Sequence, residues 1–144
     1  MSEKKPGLGR VFSWLHPSHP RRRRYLLQLL AIELVTLLIA SQIRVVGHYA
    51  SGAWHEELHW LAFFLLSIPV QWLLGGQRWL LGLILCTLAA IGHEGLEVFG
   101  HSHIMEWYDV GYNMLGVLSG ILLAWLGEFW LLKHGLPPTP KDYD

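Results

Sequence analysis

The chain is poor in charge, almost free of cysteine, and without any alternating or repeating pattern. Asp, Glu, Lys and Arg make up 15% of its 144 residues, against 52% hydrophobic residues. That is too little charge for an ordinary soluble domain. The single cysteine, Cys86, sits inside an apolar run. One thiol cannot close a disulfide within the chain or build a Cys-based metal site, so the redox compartment is unread. No stretch alternates with period two, which argues against a membrane β-barrel, and no internal repeat points to a solenoid. The one basic run, Arg21 to Arg24, is short and adjoins an apolar stretch, so nucleic acid is not an expected partner.

Four long apolar runs occupy most of the chain. A membrane-spanning helix needs about 20 mainly apolar residues. The runs Tyr25 to Val46, Leu58 to Leu74, Trp79 to Phe99 and Val110 to Leu132 meet that need. Gly75-Gly76-Gln77-Arg78 reads as a tight turn between the second and third. The expected fold is all-α, a polytopic four-helix membrane bundle. A basic tail over 1–24 precedes the membrane domain at 25–132, and a short tail over 133–144 follows it.

Orientation follows from where cations are missing. Of the 11 Lys and Arg, ten lie in the first tail, in the second link or in the last tail; only Arg44 lies on the other side. Positive charge stays in the cytoplasm, so both termini are expected there, in a bacterial-type cytoplasmic membrane. The Arg run followed by a long apolar stretch reads as an uncleaved signal-anchor. Phe12, Trp14 and Leu15 in the basic tail suggest contact with anionic lipid, although topology alone explains the charge.

Two clusters of histidine and acid fall together on the outer side of this topology. One is His55-Glu56-Glu57-Leu58-His59; the other extends from His93 and Glu94 through Glu97, His101 and His103 to Asp109. Ionisable groups at membrane depth are costly and suggest a site. His55, Glu56 and His59 form H-E-x-x-H. Helical i, i+4 spacing would let both imidazoles hold one zinc ion, with Glu56 as general base on a metal-bound water. His93 and Glu97 repeat the spacing, and either would supply a third ligand. The competing reading is a set of helix-end polar groups that hydrogen-bond one another.

Asp109 and Asn113 are also four residues apart and open the fourth run. Asn113 is expected to face the bundle, because an unpaired amide in lipid is penalised. Gly116 and Gly120, with Gly111 and Gly127, form a small-residue face for close helix packing. Glu33 and Glu128 lie towards the inner side, away from the cluster. Glu33 is expected to pair with a polar neighbour, and Gln71 gives no signal.

These blocks, in this order, resemble the VanZ-like family, named for a teicoplanin-resistance membrane protein. His59-Trp60-Leu61-Ala62-Phe63-Phe64 is similar to the family's His-x-x-x-Phe/Tyr stretch. Glu94 stands at the Glu of its Glu-x-x-Gln pair. Asp109-Val110-Gly111-Tyr112-Asn113-Met114-Leu115-Gly116 is similar to its Asp-x-x-x-Asn-x-x-Gly block. The likeness covers about residues 55–120. Departures are His55 and Glu56 for the family's Asp and Lys, Glu97 for its Gln, and no loop Arg, with Arg44 the only outer cation of fixed charge. They shift the site from an anion-friendly set towards a His/carboxylate set.

The resemblance implies an envelope protein whose outer site binds a lipid headgroup or a lipid-linked or cell-wall precursor. His59, Glu94, Asp109, Asn113 and Arg44 are the expected binding residues. The rival expectation is a membrane-embedded zinc hydrolase with His55, His59, His93 and Glu97 as candidate ligands and Glu56 catalytic. A third is a pH sensor, since six of the nine His (His48, His55, His59, His93, His101, His103) lie on this side.

Overall fold

A computed structural model describes residues 19, 21–42, 54–101, 104 and 106–134, excepting the side chains of 101 and 134. The expected outer cation Arg44, together with His48 and His103, lies outside the described residues, as do Phe12, Trp14 and Leu15 and most of both tails.

Four helices follow in order: α1 Arg22–Gln42, α2 His55–Leu74, α3 Trp79–His101 and α4 Trp107–His134, with a 3-10 turn at Gly76–Arg78. Each helix is long and apolar enough to cross a membrane, and no strand occurs among the described residues. The fold is an all-α four-helix bundle. Helices satisfy every interior N–H and C=O within one segment, which lipid requires. α1, α2 and α4 start about one turn before their apolar runs, and α3 starts with its run at Trp79. The polar His55-Glu56-Glu57 and Asp109 thereby become first-turn residues rather than loop.

The turn after α2 depends on Gly75, whose φ of +82° suits a residue without Cβ. Its N–H bonds to Gln71 O at 2.9 Å and closes the helix. α3 then runs back towards the His-rich face, and α4 again leaves it. α2 and α4 therefore run parallel and form the principal contact of the bundle. Gly116 and Gly120 make that contact close: a Cβ on either would overlap the Trp60 or Phe64 carbonyl oxygen of α2. Trp72 Nε1 fastens the far end by donating to Ala124 O at 2.9 Å.

The core comprises Phe63 and Leu66 of α2, Cys86 and Ala90 of α3, and Val117 and Ile121 of α4. α1 packs on α2 and α3. Much of it, including Ile32, Val35, Leu38 and Ile39, is exposed, as expected of a surface facing acyl chains rather than water.

Candidate functional site

The two halves of the cluster meet because α2 and α4 are parallel and in register. His55 and His59, one turn apart, face Asp109 and Asn113, also one turn apart. His55 Nε2 lies 3.2 Å from Asp109 Oδ2, and His59 Nδ1 lies 3.0 Å from Asn113 Oδ1. Both pairs have a sequence offset of 54. The Gly116 contact with Trp60 sits one turn beyond Asn113 and beside His59, so it sets the spacing.

α3 supplies the third side. Asn113 Nδ2 donates to Glu94 Oε1 at 2.9 Å, and the same oxygen lies 3.4 Å from His59 Nδ1. His93 Nε2 lies 3.5 Å from Glu97 Oε1. The His55 ring meets the His59 ring edge-on at 4.6 Å, and the His59 and His93 rings are 5.8 Å apart. His59, His93, Glu94, Asp109 and Asn113 are buried, Asn113 completely; His55 and Glu97 are half-buried.

The hydrogen bonds orient the His59 ring. Asn113 spends its NH2 on Glu94, so its Oδ1 faces His59 as an acceptor. His59 Nδ1 then donates, and in the neutral ring, the form that binds metal, Nε2 carries the lone pair. A histidine oriented in this way, through an amide tied to a carboxylate, has the outer-shell support found behind metal ligands.

Two groups of three residues bring their ligand atoms within 4.8 Å of one another: His55, His59 and Asp109, and His59, Glu94 and Glu97. Both contain His59. The third partner of the His55/His59 pair is thus Asp109, from the block read for its family likeness. Glu97 joins through Glu94, and His93 belongs to neither group, although its ring is adjacent. Glu56, the expected base, is exposed.

Electrostatics favour a cation. Glu94, Glu97 and Asp109 are all acids. Among the described residues every Lys and Arg (Arg21 to Arg24, Arg78 and Lys133) lies at the opposite end of the bundle. A buried carboxylate costs several kcal/mol unless a positive charge or hydrogen bonds compensate it.

That opposite end holds polar residues whose partnership was not expected. Arg22 Nη2 lies 3.7 Å from Glu128 Oε1, and the guanidinium stacks 5.7 Å from the Trp72 ring. Gln71 is fully buried. Separately, Glu33, expected to pair with a polar neighbour, leaves Oε2 buried without a hydrogen bond among the described residues.

Comparison with known proteins adds no identity. No protein-family model matches the chain, and neither curated proteins nor solved structures give a match.

Proposed function

We propose that this chain is a VanZ-like integral membrane protein whose His/carboxylate cluster holds a divalent cation, with zinc the leading candidate. Through that ion it binds a polar group of a lipid headgroup or cell-envelope precursor. The observation that carries the reading is three acids and three imidazoles packed at one end of a bundle whose described fixed cations all lie at the other. Neutral histidine and carboxylate together form a donor set suited to zinc. The same set would repel a bare phosphate or carboxylate, whereas a bound cation would attract one. The residues carrying the family resemblance (His59, Glu94, Asp109 and Asn113) lie together in this cluster, which supports assigning them one task.

By the charge asymmetry, the cluster faces outward from a cytoplasmic membrane and both termini lie inside. Of the two uses of a metal, binding is better supported than hydrolysis. The H-E-x-x-H scheme asks Glu56 to activate a metal-bound water, and Glu56 is exposed.

The test is metal content by mass spectrometry on detergent-purified protein, wild type beside His59→Ala. Near-stoichiometric zinc that His59→Ala removes is the expected result, because both ligand groups share that residue. Wild-type protein with no more metal than His59→Ala would overturn the reading.

A further inference from the structure

We infer that the end of the bundle opposite the histidine cluster carries a second binding site, for a zwitterionic aminophospholipid. Its polar part is Arg22, Glu128 and Gln71. Arg22 is 5% exposed, Glu128 8% and Gln71 0%. Burial this deep normally comes with full hydrogen bonding. Here Arg22 Nε and Nη2, Glu128 Oε2 and Gln71 Oε1 are all buried without a hydrogen-bond partner among the described residues. The one contact joining the charges, Arg22 Nη2 to Glu128 Oε1, is 3.7 Å long, an ion pair without a hydrogen bond. Two donors on a cation and one acceptor on its anionic neighbour are left over, with a further acceptor on Gln71 at the same end of the bundle.

The apolar part is a groove of about 310 Å³ between α1, α2 and α3. Leu30, Leu34, Val70, Leu74, Cys86 and Ala89 are among its lining residues. Leu30, the first α1 residue of the groove, lies two turns beyond Arg22, about 12 Å of helix rise. Gln71 links the two parts. A Cβ on Gly82 would press on Gln71 Oε1 and lie 3.6 Å from Leu74 Cδ1, which places the unused acceptor at the groove's end. A Cβ on Gly76 would lie 3.1 Å from Glu128 Oε2, so the second acceptor borders the same turn.

A ligand that satisfies this set needs an anion with acceptor oxygens for Arg22, a cation with N–H donors for Glu128 and Gln71, and an acyl chain for the groove. Phosphoethanolamine on a diacylglycerol has all three. Its headgroup would divide the long ion pair, phosphate to Arg22 and ammonium to Glu128, exchanging one weak contact for charge-assisted hydrogen bonds. A choline headgroup has the charge without the donors. A phosphoglycerol headgroup has no cation and brings its negative charge towards Glu128.

The test is native mass spectrometry of the delipidated full chain, titrated with phosphatidylethanolamine, phosphatidylcholine and phosphatidylglycerol of matched acyl chains. Phosphatidylethanolamine should bind about tenfold more tightly than either competitor. Glu128→Gln should bring it down to the level of phosphatidylcholine, and Ala89→Phe, which fills the groove, should weaken all three. Equal binding of the three lipids to the wild type overturns the site. So does a preference for phosphatidylglycerol, which would mean only that the basic face collects anionic lipid. An ethanolamine preference untouched by both substitutions overturns it as well. If either variant fails to fold, the wild-type ranking still decides.

Discussion

Replacing Asn113 with alanine and with aspartate separates a metal-orienting role from a merely structural one. The alanine deletes a hydrogen bond of 3.0 Å to His59 and one of 2.9 Å to Glu94 at a fully buried position. By values from soluble proteins, the bond to the carboxylate is worth about 1.5–3 kcal/mol and the other about 1 kcal/mol. Interhelical bonds in membrane bundles average about 0.6 kcal/mol and reach about 1.7. The site lies in the first turns of α2 and α4, near the helix ends, so a loss of about 2 kcal/mol in apo-protein stability is expected. Zinc affinity should fall as well, by about 10–100-fold, because His59 is no longer held with Nε2 as its lone-pair nitrogen. The aspartate keeps an acceptor for His59 but sets a second carboxylate against Glu94. It should lower apo stability and yet preserve or raise zinc affinity, since the added charge favours a cation. Thermal denaturation of metal-free protein and competition against a chromophoric chelator read the two quantities separately. If zinc affinity simply follows stability across both variants, or Asn113→Ala binds zinc like the wild type, the orienting role is refuted.

Three other outcomes are expected. Glu56→Gln should leave zinc content unchanged while Asp109→Asn and Glu94→Gln lower it; mass-spectrometric metal analysis of the three proteins ranks them. Gly116→Val should force α2 from α4 and cost about 1–3 kcal/mol by overpacking, more if the backbones cannot part, read as a fall in midpoint of detergent denaturation. Zinc should also leave in acid, because imidazole and carboxylate ligands must shed protons to bind it. A chelator titration giving equal affinity at about pH 5.5 and 7.5 would contradict histidine ligation.

The four spans were legible because length and apolarity alone decide what crosses a bilayer. The pairing of His55 with His59 was legible because i, i+4 spacing is a property of one helix. The partner of that pair was not. Asp109 meets His55 through the register of α2 against α4, and no periodicity within either helix encodes an offset between them. Of His93 and Glu97, which repeat the ligand spacing, Glu97 joins a group with His59 and Glu94, whereas His93 joins neither. Glu56 was selected because a motif names it. In the fold it is exposed, while His59 beside it in the motif is buried. Arg22, Gln71 and Glu128 carry no pattern in the sequence, being distributed over three helices that only the fold brings together.

Register and chemistry at the cluster have one cause. Gly116 lets α4 approach the Trp60 carbonyl, and Gly120 repeats the approach one turn on at Phe64. Trp60 follows His59, and Asn113 precedes Gly116 by three residues, so a close approach of α2 and α4 lies next to the His59–Asn113 hydrogen bond. A shift of one residue between the helices would rotate Asn113 by about 100° and leave both the amide and Glu94 without their partners. The bundle therefore cannot trade its packing independently of its polar site. Among the described residues no fixed cation lies at that face, and Asp109 and Glu94 meet their partners only through the contacts of α4 with α2 and α3.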